Sequence, residues 1–196
     1  EARAKLTEAY AVNCYASATE SPSAPDVLVL AVKPQQMKDA VAPLVDRLGN
    51  AVVVSIAAGL DMAALSRWLG GHRKIVRCMP NTPALIGAGI TGLCALPEVS
   101  ASERDAAERV LRAVGTTVWI ANEAQMDGVT ALSGSGPAYV FLFIEAMQQA
   151  AADLGFTPEQ SRQLAIETVQ GAAALAAQSS EPASVLRGRV TSKGGT

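Results

Sequence analysis

The sequence predicts an α/β fold in which a doubly wound parallel sheet is followed by an all-helical region. Two observations indicate this architecture. As far as Asn122, short apolar runs alternate with helical patterns, which is typical of β-α-β units. From Glu123 onward the sequence contains helical patterns and no strand pattern. We therefore expect two domains, residues 1–122 and residues 123–196.

The α/β part begins with a helical pattern over residues 1–12 and continues with two apolar strands. Residues 27–32 (VLVLAV) and 51–59 (AVVVSIAAG, a strand and its turn) are rich in β-branched and small side chains, as buried parallel strands are. Between them, residues 35–49 have helical spacing. Pro43 interrupts that pattern, so we expect a kink or two short helices.

The remaining α/β elements continue the alternation. Asp61 can cap a helix over residues 62–70. Ser100 and Glu103 have the spacing of a capping box at the start of a further helix. The third, fourth and fifth strands are predicted over residues 74–80, 87–96 and 116–120.

The helical part contains two long predicted helices that are apolar nearly all round, and a shorter third one. The run VFLFI, residues 140–144, leaves little polar surface, so we expect a partner subunit to cover it. Glu145 and Asp153 in the same helix argue against a membrane span. The three helices are predicted over residues 137–155, 157–178 and 182–189.

The bulk composition suits a cytoplasmic globular protein. Hydrophobic residues make up 49% of the 196, and the net charge of −2 gives no reason to expect nucleic-acid binding. Cys14, Cys78 and Cys94 form no CxxC pair, and His72 is the single histidine. We therefore expect reduced cysteines and no metal site.

A nucleotide-binding fold of this class normally opens with a GxGxxG motif, which the sequence lacks. Because it starts inside a helical pattern, we expect the chain to lack one preceding β-α-β element. Ligands of such sheets bind beyond the carboxyl ends of the strands. Lys33 and Pro34 follow the first strand, and residues 56–59 follow the second. These loops are either a cofactor site or ordinary connections.

Three further loops allow two interpretations each. MPNTP, residues 79–83, is either a ligand-facing loop or a rigid turn. ALSGSGPAY, residues 131–139, either offers backbone N–H groups to an anion or lets glycines pack closely. TSKGG, residues 191–195, is either an anion-binding nest or a plain turn. No side chain has the partners of a nucleophile or general base, so no catalytic residue is assigned.

Taken together, these segments resemble the Δ1-pyrroline-5-carboxylate reductase family. The resemblance covers nearly the whole chain, in the family's order and spacing. It rests on DVLVLAVKPQ, SIAAGL, IVRCMPNTPALIGAG, ALSGSGPAYVF and VTSKGGT. It implies a Rossmann-like domain followed by a helical dimerisation domain. It also implies NADPH as the cofactor, with NADH as the alternative, and a homodimer that can assemble into a decamer.

The resemblance also implies site residues and a reaction. Hydride would pass from the nicotinamide to the C=N carbon of the cyclic imine, giving L-proline. Another imine or keto reductase and a nucleotide-binding dimerisation module without turnover stay open as alternatives. Substrate binding is implied for Glu123, Ser192, Gly194, Gly195 and Thr196, the last four in a loop whose backbone would hold a carboxylate. Cofactor binding is implied for Ala31, Val32, Lys33, Pro34, Ile56, Ala57, Ala58 and Arg189.

Overall fold

The computed structural model describes residues 1–22 and 24–191, and they form two compact units. The first unit is Glu1–Ser135 and the second is Gly136–Thr196. The predicted domain boundary after Asn122 lies before this division, because the start of the helical region packs with the sheet. That boundary stays a prediction.

The first unit is built on a five-stranded sheet in which the strands stand in chain order. β1 pairs in parallel with β2, and β2 with β3, so the first three strands form the predicted β-α-β succession. The apolar runs of the sequence account for them, since β2 is buried along its whole length. The strands are β1 (Val27–Leu30), β2 (Val52–Ser55), β3 (Ile75–Met79), β4 (Gly89–Ala95) and β5 (Gly115–Trp119).

The sheet is mixed, which corrects the expectation of a parallel sheet throughout. β4 runs antiparallel to β3, and β5 then runs parallel to β4. The connection from β3 to β4 contains only a short 3₁₀ turn, Thr82–Ile86. A parallel crossover needs a dozen or more residues, so this short link returns the chain in the opposite direction.

Helices cover both faces of the sheet, as a doubly wound fold requires. One core cluster joins side chains of the two helices after β1 and β2, including Met37 and Leu65, to strand residues such as Ile75. The cluster on the opposite face joins Ala107 and Leu111 of the helix before β5 to the other strand positions. The helices of this unit are α1 (Ala2–Tyr10), α2 (Met37–Val41), α3 (Met62–Trp68), α4 (Ala101–Arg112) and α5 (Met126–Val129).

Local signals in the sequence start and interrupt these helices as predicted. Asp61 caps α3 by accepting a hydrogen bond from the N–H of Ala64. Ser100 and Glu103 form a complete capping box at the start of α4. α2 ends at Val41, and a 3₁₀ helix that contains Pro43 continues it, so the predicted helix is two short pieces.

The second unit consists of three helices, and α6 packs along α7. Thr157 and Gln160 form a capping box at the start of α7. Among the described residues, the second unit buries only Ser161 and Ala165, whereas Phe141, Leu142 and Phe143 are each more than half exposed. The helices are α6 (Gly136–Asp153), α7 (Pro158–Gln178) and α8 (Ala183–Val190).

A continuous helical stretch, Glu123–Asp153, links the sheet to the second unit along the chain. It includes a π-helical turn at Thr130–Gly134, directly before α6. By length and composition this stretch is the one candidate membrane span among the described residues. That is weak evidence, since an apolar helix that a soluble protein buries meets the same criterion.

Candidate functional site

The loops after β1 and β2 lie side by side at the carboxyl edge of the sheet. The N–H of Ile56 donates to the carbonyl of Leu30 at 3.2 Å, which fixes the start of one loop against the start of the other. This places the two predicted cofactor segments, residues 31–34 and 56–58, next to each other. Parallel pairing of β1 and β2 is the cause, because it brings both carboxyl ends to one edge.

The β1–α2 loop, residues 31–34, and the β2–α3 loop, residues 56–61, present backbone to the solvent. Ala31, Val32 and Lys33 are exposed, and so is Ala58, whereas Ala57 points into the core. Small side chains at this edge leave room for a flat group to approach the main chain. Ala57 is thus a packing residue, and its N–H already donates to Oγ of Ser55.

The β2–α3 loop is held at its far end by the carboxylate of Glu123. Oε1 of Glu123 accepts the N–H of Met62, the first residue of α3, at 2.8 Å. The same oxygen accepts a hydrogen bond from Nη1 of Arg77 at 2.9 Å. A carboxylate suits this position because the first N–H groups of a helix lack intrahelical partners and carry partial positive charge.

Arg77 is a buried charged residue in the middle of β3, with 8% of its surface exposed. It pairs in register with Ser55 on one neighbouring strand and Cys94 on the other. We did not single it out from the sequence, although an arginine inside the apolar run IVRCM is the signal that could have found it. A buried charge in a strand needs a partner, and Glu123 supplies it.

The cysteines next to this ion pair are packing residues, as predicted. Cys78 and Cys94 are free and buried, and they belong to core clusters on opposite faces of the sheet. Burial raises the pKa of the Cys78 thiol to about 12. Burial, and next the negative charge of Glu123, raises the pKa of Cys94. Both thiols therefore stay protonated and unreactive near neutral pH.

The geometry favours the rigid-turn interpretation of MPNTP. Oδ1 of Asn81 accepts the N–H of Ile90 at 3.0 Å, so this side chain ties the turn to the start of β4. The turn ends at Gly87 in a left-handed conformation, with φ of 71°. Asn81 thus shapes the return of the chain between two antiparallel strands.

The geometry favours close packing for one of the two glycines in ALSGSGPAY, Gly134, whereas a Cβ atom on Gly136 would meet nothing within 4 Å. A Cβ atom on Gly134 would lie 2.7 Å from Cε of Met79, and one on Gly92 would lie 2.7 Å from Cγ1 of Val129. The N–H of Ser135 already donates to the carbonyl of Thr130 at 2.8 Å, in the π-helical turn. That donor is therefore occupied within the helix and does not point at an anion.

Of the predicted site residues near the end of the chain, Arg189 lies among the described residues. The guanidinium of Arg189 forms a bidentate ion pair with the carboxylate of Glu181, and both N–O distances are 2.6 Å. Its predicted role in cofactor binding stays a prediction. Ser192, Gly194, Gly195 and Thr196 lie outside the described residues.

His72 is a structural residue in this fold. Its Nε2 lies 2.9 Å from the carbonyl oxygen of Ala51, and the residue is half-buried. Within residues 1–22 and 24–191, no group of three or more His, Cys, Asp or Glu side chains is placed to hold a metal ion.

Two family profiles match separate parts of the chain. The profile described as NADP oxidoreductase, coenzyme F420-dependent, matches residues 1–59. The profile described as pyrroline-5-carboxylate reductase dimerisation matches residues 123–196. The second match makes the helical part an oligomerisation domain.

Curated relatives and solved structures agree with these profiles. A pyrroline-5-carboxylate reductase of Pseudomonas aeruginosa is 46% identical over 197 aligned positions, which cover 100% of this chain and 72% of the relative. The Haemophilus influenzae enzyme is 45% identical, with coverage of 87% and 64%.

Among solved structures, a pyrroline-5-carboxylate reductase of Coxiella burnetii superposes with a TM-score of 0.91 at 42% identity and covers 98% of this chain and 73% of its own. The Plasmodium falciparum enzyme, solved with NADP bound, gives a TM-score of 0.80 at 33% identity, with coverage of 87% and 65%. The order of sheet and helices, the paired loops and these relatives lead to one conclusion: the chain belongs to the pyrroline-5-carboxylate reductase family.

Proposed function

We propose that the protein reduces 1-pyrroline-5-carboxylate to L-proline with a hydride from NADPH, the last step of proline biosynthesis. The observation that carries the proposal is the pair of exposed loops at the carboxyl edge of β1 and β2. Ile56 and Leu30 fix these loops against each other, at the place where open α/β sheets bind ligands. The family of the chain supplies the identity of the substrate.

The chain's own residues fit a dinucleotide. The exposed backbone of Ala31, Val32 and Lys33, together with that of Ala58, would hold the cofactor at this edge. When bound, the nicotinamide supplies the hydride. NADH is the alternative donor. The protein's task is to place the donor and acceptor carbons about 3–3.5 Å apart.

The substrate is proposed to bind through its ring carboxylate. Backbone N–H groups in the loop of Ser192, Gly194, Gly195 and Thr196 can form an anion nest, which requires no titrating side chain. The imine carbon accepts hydride more readily when its nitrogen is protonated. A pyrroline that binds already protonated needs no general acid, which agrees with the lack of an evident catalytic side chain.

The helical part is proposed to form a homodimer, and dimers to assemble into a decamer, in the cytoplasm. The exposed apolar side chains of α6 support the dimer, because a solvated helix would not carry Phe141, Leu142 and Phe143 in sequence. The same surface, buried against a second subunit, explains the apolar character of the stretch without a membrane. The net charge of −2 supports the absence of a nucleic-acid partner.

The decisive experiment is a turnover assay on the full-length protein. NADPH and 1-pyrroline-5-carboxylate are mixed with the enzyme, and absorbance at 340 nm is followed. We expect substrate-dependent oxidation of NADPH and formation of proline. A panel of six-membered cyclic imines and of 2-keto acids is the control, and the five-membered ring should react fastest. No oxidation by a folded protein would refute the proposal.

A further inference from the structure

Three segments of the first unit meet at one carboxylate, that of Glu123. They are the end of the β2–α3 loop, the middle of β3 through Arg77, and the start of the stretch Glu123–Asp153. We propose that the Arg77–Glu123 ion pair is a positioning element that sets the β2–α3 loop for cofactor binding. This inference rests on the proposed function. It gives Glu123 a task other than direct contact with the substrate.

Besides the core packing of Ala57 and Leu60, a few hydrogen bonds fix the β2–α3 loop. At its start, Ile56 donates to Leu30, and the N–H of Ala57 reaches Oγ of Ser55 at 3.4 Å. At its end, the side chain that receives the N–H of Met62 is that of Glu123, 61 positions along the chain. Two hydrogen bonds at the start of the loop and one at its end therefore flank the exposed part that includes Ala58.

Because Arg77 is positively charged, the residue that bonds to the N–H of Met62 has to be a carboxylate, here that of Glu123. The side chain of Arg77 is 9% exposed and that of Glu123 is 26% exposed, so the two charges face each other at 2.9 Å in a mostly desolvated place. Loss of either partner leaves the other charge buried and unpaired, which is strongly unfavourable. Glu123 therefore turns toward Arg77 and Met62 and holds the end of the loop there.

Glu123 itself is held because the chain that follows it packs on the sheet. A Cβ atom on Gly92 of β4 would lie 2.7 Å from Cγ1 of Val129, and one on Gly134 would lie 2.7 Å from Cε at the end of the Met79 side chain of β3. The glycine positions thus let the stretch lie close to the strands that carry Arg77. This packing fixes the backbone of Glu123. The carboxylate of Glu123, oriented by Arg77, in turn fixes the end of the β2–α3 loop at Met62.

The test compares NADPH binding among conservative variants of the full-length protein. Glu123→Gln keeps an oxygen for the N–H of Met62 and loses the charge, and Arg77→Met loses the cation. We expect each to raise the Kd for NADPH by about tenfold, within the usual range for coupled neighbours. Arg77→Lys retains the charge and should stay within about threefold of the wild type. Binding is measured by fluorescence titration, with circular dichroism to show that each variant is folded.

Steady-state kinetics separates positioning from direct substrate contact. We expect KM for NADPH to rise in Glu123→Gln while KM for pyrroline-5-carboxylate changes less. Glu98→Gln is the matched control, since it removes the carboxylate of an exposed pair with Arg73 in the same unit. It should leave both constants unchanged. The double variant Arg77→Met with Glu123→Gln should bind NADPH no more weakly than the weaker single variant, because the two losses are coupled.

Two results would overturn the inference. One is a set of variants that bind NADPH as the wild type does. The other is a rise in KM for pyrroline-5-carboxylate alone in Glu123→Gln, which would make Glu123 a substrate ligand. Failure of the proposed function looks different: the wild type would bind NADPH without reducing the imine, and the binding comparison would still decide whether the ion pair positions the loop.

Discussion

The two units of the molecule handle their apolar side chains in opposite ways. The first unit, Glu1–Ser135, buries Val53, Leu65 and Ile75 completely, between its sheet and its own helices. In the second unit, Gly136–Thr196, no residue of α6 or of α8 is buried. The contrast is large because the apolar content of α6 is as high as that of a core helix.

The difference teaches that the first unit encloses a hydrophobic core of its own, whereas the described part of the second unit buries almost none of its apolar side chains. A sheet covered on both faces satisfies its own apolar surface. Two long helices in a hairpin can bury one seam only, here through Ser161 and Ala165, which leaves their other faces for a partner. Core mutations should therefore unfold the first unit, whereas surface mutations should dissociate the second.

The largest effect is expected for Ile75→Ala in β3. Ile75 is fully buried, so its truncation should lower the free energy of unfolding by about 3 kcal/mol through lost burial and a cavity. Ile90→Ala is the matched control, because Ile90 in β4 is 38% exposed and should cost much less. Urea denaturation measures both. Equal losses would mean that the first unit has no closed core.

A comparable change in α6 should affect assembly and leave the fold intact. Phe141 is 62% exposed, and we expect Phe141→Asp to weaken self-association by about 2 kcal/mol, roughly 30-fold in the dissociation constant. Sedimentation velocity over a range of concentrations measures it. Leu6→Asp in α1 introduces the same charge at an exposed leucine of the first unit and should leave the oligomer unchanged. An unaltered Phe141→Asp oligomer would contradict the comparison.

A smaller effect distinguishes a charged capping box of the first unit from an uncharged one of the second. In the first unit, Glu103 bonds with Lys74 at 2.7 Å and with Ser100, which lowers its pKa from 4.5 to about 2. A lowered folded-state pKa stabilises the fold above about pH 4.5 and ceases to do so as the pH falls toward 2. Glu103→Ala should cost about 1 kcal/mol at pH 7 and show less loss of stability over that range.

The second unit provides the contrasting case. Its box pairs Thr157 with Gln160, which carries no charge, so Thr157→Ala should destabilise α7 by a similar amount at every pH. Thermal unfolding followed from pH 7 to pH 2 makes the comparison. A pH-independent Glu103→Ala difference would show that the ion pair with Lys74 adds nothing to the cap.

The smallest effect concerns reactivity and not stability. At pH 8, iodoacetamide should label Cys14, which is half-buried, and leave Cys78 and Cys94 unmodified in the native protein. Burial raises the pKa of both protected thiols, so they hold little thiolate at that pH. Mass spectrometry of digested samples reads the result. Labelling of Cys78 as fast as Cys14 would show that the core of the first unit opens readily.

Much of the fold could be predicted because its signals are local. The apolar runs placed all five strands within a few residues, and Asp61, Ser100 and Thr157 marked the starts of their helices. The predicted parallel direction of β4 was wrong, because a short apolar run does not indicate the direction of its strand relative to its neighbours. The direction of β4 depends on the length of the connection between β3 and β4. The rigidity of that connection depends on the hydrogen bond from the N–H of Ile90 to Asn81.

The position of the backbone loops at the candidate site could be predicted from the sequence, whereas the ion pair beside them could not. The loops after β1 and β2 were expected at one edge, and they lie there. Arg77 was missed, and the substrate role implied for Glu123 stays a prediction. Their pairing joins positions that are 46 residues apart, and no periodicity or cap signal reaches over that distance.

By itself, the sequence determined the elements, their order, the family and the apolar surplus of the helical part, because these depend on nearest neighbours and composition. Only the tertiary structure decided which strand turns back, which glycines admit a close approach, and where the carboxylate of Glu123 points. Those features depend on distances between segments far apart in the chain. Packing sets such distances, and in this protein it sets the loop that is proposed to hold the cofactor.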